Sequence, residues 1–305
     1  MKATSLIFVA LFSWALAEAK LYGCGLESIV GLGLLTIGVG HGLFDAVLAG
    51  IVFQISFRKA TAIYALAVAL VAFLAWWIPL VALATHATVS AFHFGQAEWR
   101  NCRAPSRGER IASFIWGAAL VLLMVLGPWA ESEWLLKFLQ PERTKSFLIF
   151  CSRNRLVLLI IANLGGAGST LFLAQRQRSD VLARLFDLLL LNALFLSLPL
   201  WLSFSLFLSL WHGWSSLSHD TFPLLGLTIR QPKPDRSFLP AVSFATLATL
   251  SIAAALLVIF HSNTRMPNPL VPISFALLTA VTLPHVFVMG HVGKVGFLGR
   301  IVRQN

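Results

Sequence analysis

Charge is scarce in this chain. Asp, Glu, Lys and Arg together make up 11% of its 305 residues, against 58% hydrophobic. A soluble domain of this length cannot hide that much apolar surface in one core, so most of it must face lipid. Cysteine is nearly missing: Cys24, Cys102 and Cys151 are scattered without CxxC spacing, which excludes a disulfide framework and a thiolate metal site. The apolar runs are apolar all round rather than alternating, as strands of a membrane barrel would be. There is no Gly-rich phosphate loop, no GxSxG, no HExxH and no pair of acids at glycosidase-like positions. Acidic residues are outnumbered 12 to 23, giving a net charge of +11. In a soluble protein that excess would point to nucleic acid; here the basic residues sit in short loops between apolar runs, where the positive-inside rule accounts for them and no nucleic-acid partner is expected.

What the chain does have is long apolar runs, each near the roughly 20 residues that a helix needs to cross a bilayer. They fall at 28–56, 61–78, 80–99, 111–129, 156–175, 183–198, 200–218, 240–261 and 270–292. Pro79 and Pro199 each separate two adjacent runs, as tight connections or kinked re-entrant segments. Basic clusters recur after alternate runs: Arg58 and Lys59, Arg100 to Arg110, Arg176 to Arg184, Arg230 to Arg236, and Lys294 to Arg303. That alternation favours nine crossings with a cytoplasmic carboxyl end. Losing one Pro-separated pair would keep the signs, so the expected fold is an all-α, polytopic transmembrane helix bundle of about 7–9 spans in the cell membrane. Residues 1–20, with Lys2, an apolar stretch and Ala15-Leu16-Ala17, read as a signal peptide or a short anchor, leaving 21–305 as a single helical domain.

Ionisable residues inside a membrane are costly and mostly face a bundle interior. Four of the eight histidines lie within separate runs at comparable depth: His41, His93, His212 and His285. Neutral imidazole is a common ligand for iron, zinc and copper, so the four are expected to share one metal or polar site. His86, His219, His261 and His291 lie nearer span ends, where water can satisfy them. Asp45 follows His41 by four positions and shares its helix face, which suits a carboxylate that orients an imidazole, or a direct ligand. Pro284 directly precedes His285 and is expected to bend its helix.

Four segments, GHGLFDA (40–46), SAFHFGQAE (90–98), LWHGW (210–214) and TLPHVFVMGH (282–291), resemble in order and spacing the motifs of the Brp/Blh family of membrane β-carotene 15,15′-dioxygenases. The resemblance covers roughly 28–295 and implies a transmembrane bundle holding non-haem Fe(II) through histidines. O₂ is then added across the central double bond of β-carotene or a related carotenoid to give retinal. By position it implies His41, His93 and His212 as iron ligands and His285 as the histidine of the family's TLPH motif, all four catalytic. Asp45 is implied beside them, and the substrate-binding residues stay open. Departures are also present: Ser216 stands where the family has a histidine four residues after His212, Ala46 replaces another histidine, and Glu98 stands for an Asp. His219, the fallback ligand, is seven residues from His212, about 10.5 Å along a regular helix.

Three further readings fit the residues: a non-catalytic relative that binds carotenoid or retinal and passes it to an opsin, a histidine-lined proton or metal transporter, and a haem protein with two axial imidazoles.

Overall fold

The computed structural model describes residues 44–99, 105–139, 141–216 and 279–291. Among these residues there is no strand, as expected. The helices in chain order are α1 (Asp45–Phe53), α2 (Phe57–Trp77), α3 (Pro79–Glu98), α4 (Arg107–Leu126), α5 (Trp129–Leu139), α6 (Pro141–Gln177), α7 (Val181–Ser197), α8 (Leu200–Leu206) and α9 (279–291). The N-terminal segment 1–20, residues 28–43 of the first run, the run at 240–261 and residues 270–278 lie outside the described residues.

Local chemistry sets several of these boundaries. A capping box starts α4: Ser106 Oγ accepts from the Glu109 N–H at 3.2 Å, and the Ser106 N–H donates to the Glu109 carboxylate at 2.8 Å. Asp180 caps α7 by accepting from the N–H groups of Leu182 and Ala183. Only Ile78 separates α2 from α3, whose first residue is Pro79, a position where the missing N–H costs nothing. Pro199 likewise stands at the start of α8. Both prolines therefore mark tight connections.

Among the described residues, three helical stretches are long and apolar enough to cross a membrane: Phe57–Ala75, Arg107–Leu126 and Lys145–Gln177. That is fewer than the sequence runs imply. In α3, His86, Ser90, His93 and Gln96 dilute the hydropathy, and α7, at 17 residues, stands at the lower limit for a crossing. The stretch between the apolar runs 111–129 and 156–175 is helical in α5 and the first turns of α6. Glu142, Arg143 and Lys145 are polar but good helix formers, and Pro141 suits a first helical position. At 37 residues α6 is about 55 Å long, well beyond the thickness of a hydrocarbon core.

The chain clusters into two compact units. One comprises residues 79–207. In it α4 packs against α3 on one side and α6 on the other, with α7 against α6 and α4. Leu120, Leu123, Leu126, Leu173, Leu191, Leu194 and Phe195 are fully buried there. Arg155 of α6 donates to the carbonyls of Leu126 and Gly127 at 2.8 and 2.6 Å, satisfying the end of α4. The other unit holds α1, α2, residues 208–216 and α9. Leu48 and Ala49 of α1, Ala60 of α2 and Val288 of α9 form its buried cluster.

Outward faces are as apolar as the cores. On α2, Ile63, Leu66, Leu70, Phe73 and Trp77 recur at helical spacing and are exposed; on α6, Leu156, Val157, Ile160, Ile161 and Leu164 do the same. In water such stripes would drive association, whereas lipid leaves them satisfied.

Candidate metal centre

The α1–α2 hairpin places the first polar pair. After α1, Gln54 takes a left-handed conformation (φ 53°), and its N–H and that of Ile55 return to the Gly50 carbonyl. The chain reverses within three residues and α2 runs back along α1. Asp45 and Tyr64 stand at similar distances from that turn, so their side chains meet: Tyr64 Oη donates to Asp45 Oδ2 at 2.8 Å. Asp45 is fully buried. Its two oxygens also lie 3.0 and 2.8 Å from Nδ1 of His285 on α9. The imidazole beside the Asp45 carboxylate is that of His285. One turn on in both helices, Leu48 and Val288 belong to the same apolar cluster.

His93 lies on α3, and the sequence around it explains its fixed position. Gly95 and Gly117 allow the backbones of α3 and α4 to touch. A Cβ on Gly95 would lie 1.9 Å from the Ser113 carbonyl oxygen, and one on Gly117 would lie 1.7 Å from that of Ala91. Membrane helices use small residues in this way to pack closely. Phe94 adds an edge-on contact to Phe207 at 5.1 Å, and Phe207 in turn meets Phe195 at 5.9 Å. His93, Phe94 and Ser90 are buried along this stretch.

His212 occupies an irregular helix. From Phe207 to Gly213 the chain is π-helical, and it regains α geometry at Trp214–Ser216. Such widened turns are rare and occur frequently at functional sites, because they re-aim side chains that a regular helix would point elsewhere. Ser209, His212 and Ser216 are buried here.

Among the described residues one group could hold a metal ion: His93, His212 and His285, each buried and each offering a ring nitrogen within 4.8 Å of the others. Three of the four histidines expected to share a site are thus brought together. The fourth, His41, and the fallback His219 lie outside the described residues. The donors fit a borderline metal such as iron: three imidazoles, with a carboxylate engaging one of them from behind. Ser216, fully buried one helical turn after His212, offers only a hydroxyl where a second imidazole would extend the set. Glu98 is ion-paired with Arg184, whose guanidinium also covers the Trp99 ring at 5.0 Å, so this acid ties α3 to α7. His291 rests against Phe287 and Phe53, with ring centroids 4.7 and 5.1 Å away. His86 lies partly buried on α3, and His261 is outside the described residues. Tyr64 is the partner that the sequence reading missed. Its signal was available: it is one of only two tyrosines, and it sits within an apolar run.

The family described as beta-carotene 15,15′-dioxygenase matches residues 32–292. The chain belongs to the β-carotene 15,15′-dioxygenase family. No curated protein and no solved structure matches it significantly. Membership in the dioxygenase family points to carotenoid cleavage as the chemistry and to a carotenoid as the substrate class. The buried histidine group lies inside the matched residues, with Asp45 and Tyr64.

Proposed function

We propose that the chain is a membrane-embedded, Fe(II)-dependent dioxygenase that cleaves a carotenoid, β-carotene in the first instance, into retinal. The observation that carries this reading is the convergence of His93, His212 and His285, all buried, in a chain of this family. His41, within GHGLFDA, is proposed as a further ligand, and His219 as the fallback. Bound iron would supply the activation of O₂. The protein's own part is to present neutral imidazole lone pairs, to hold His285 through Asp45, and to keep water out by burial. The reaction breaks one C=C bond and forms two C=O bonds, both oxygen atoms coming from O₂. The domain is proposed to run from 21 to 305 as a multi-pass bundle of the cell membrane, with about 7–9 crossings and a cytoplasmic carboxyl end. Exposed apolar stripes on α2 and α6 support placing it where carotenoids dissolve.

Ser216 favours a second reading, a relative that binds carotenoid or retinal without turnover and delivers it to an opsin. One experiment separates them. Purified protein, loaded anaerobically with Fe(II) and given β-carotene and then O₂, is assayed for apocarotenals by chromatography, with bound iron measured in parallel. Retinal with one equivalent of iron, both lost in His212→Ala, is the expected result. Retained chromophore with no aldehyde would move the assignment to the binding relative.

A further inference from the structure

The contact between Asp45 and His285 leaves a question of orientation. A carboxylate accepts hydrogen bonds and cannot donate, so the ring atom facing Asp45 is an N–H, Nδ1. In the neutral ring, a proton on Nδ1 leaves the lone pair on Nε2. Yet Nδ1 lies almost equally far from both oxygens, 3.0 and 2.8 Å, and by itself does not select one rotation of the carboxylate. Tyr64 does. Its hydroxyl donates to Oδ2 at 2.8 Å from a different helix, so the carboxylate is held between two donors and its plane is fixed. Because Asp45 is fully buried, bulk water cannot replace either donor. The Tyr64 ring packs against the Leu48, Ala49, Ala60 and Val288 cluster, which fixes the hydroxyl in turn.

We propose that Tyr64 is a positioning residue that acts through Asp45 to hold His285 in the Nδ1–H tautomer, with its Nε2 lone pair presented to the metal. The metal part of this statement rests on the function proposed above; the tautomer part does not. Three helices, α1, α2 and α9, each supply one member of the string Tyr64–Asp45–His285, and removing the hydroxyl frees the carboxylate while leaving the aromatic ring in its packing.

The test uses full-length protein in detergent, as wild type, Tyr64→Phe, Asp45→Asn and the double variant. Histidine ¹⁵N NMR of the metal-free protein, with His285 assigned by His285→Gln, reads the tautomer directly. Competition with a chelator reads Fe(II) affinity, and thermal unfolding reports packing. Tyr64→Phe is expected to turn the single Nδ1–H pattern into a tautomer mixture and to weaken Fe(II) binding about 10-fold, within the range for lost outer-shell partners. Its unfolding should remain a single cooperative transition, lowered only by the loss of one buried hydrogen bond. The double variant should bind no more weakly than Asp45→Asn alone, since both changes cut one string. A Tyr64→Phe protein with an unchanged tautomer, or losses that add in the double variant, would overturn the proposal. If wild type binds iron but makes no aldehyde, the carotenoid assignment fails while the Tyr64 result still stands. If wild type binds no iron, the metal part fails with the proposed function, and the tautomer decides what Tyr64 does.

Discussion

At the scale of single residues, the site is a set of buried groups whose removal should have separable consequences. His93→Ala is expected to lower bound iron well below one equivalent, measured on purified protein, because the remaining donors leave the ion open to chelators and water. Glu98→Gln should behave differently. Its partner Arg184 is mostly buried, so loss of the charge is expected to cost about 1–3 kcal/mol of stability while iron content stays unchanged. The histidines could be read from sequence because an imidazole in an apolar run is expensive and therefore conspicuous. Asp45 was legible by its spacing from His41. Its contact with His285 was not, since residues 240 positions apart share no periodicity. The ion pair of Glu98 was not legible either, because its partner, Arg184, lies 86 residues away.

At the scale of helices, two features set the aim of the buried histidines. The first is the backbone contact between α3 and α4. Gly117→Ala would place a methyl group 1.7 Å from the Ala91 carbonyl oxygen, so the helices must part. A loss of about 1–3 kcal/mol in thermal unfolding, together with reduced iron retention, is the expected outcome. The second is the π-helical stretch Phe207–Gly213. Deleting Leu210 should let the segment return to α geometry and turn His212 by about 100° about the helix axis. Iron binding should then be lost while the protein still extracts and unfolds as a folded species. Apolar length and the two prolines allowed most helices to be placed from sequence. The π turn was hidden, because WHGW carries no residue that forbids an ordinary helix. The helical start of α6 was hidden too, because its charged residues look like a loop when only hydropathy is read.

At the scale of the whole chain, helical class and an apolar exterior were legible from composition alone, whereas the number of crossings was not. Polar side chains within α3 and the modest length of α7 blur the distinction between a span and a buried helix. The proposed topology makes a direct prediction: a reporter fused after Asn305 should show cytoplasmic activity, and the protein should stay with membranes through alkaline extraction.

The exposed stripe of Ile63, Leu66, Leu70, Phe73 and Trp77 has a kinetic consequence. If the proposed function holds, the catalyst's flank is dissolved in the same phase as its substrate and meets it by lateral diffusion in two dimensions. Its rate should follow the mole fraction of carotenoid in the bilayer rather than the amount per volume of buffer. Adding inert phospholipid to proteoliposomes at constant total carotenoid should slow turnover by surface dilution, while diluting the whole suspension with buffer should leave the turnover per enzyme unchanged.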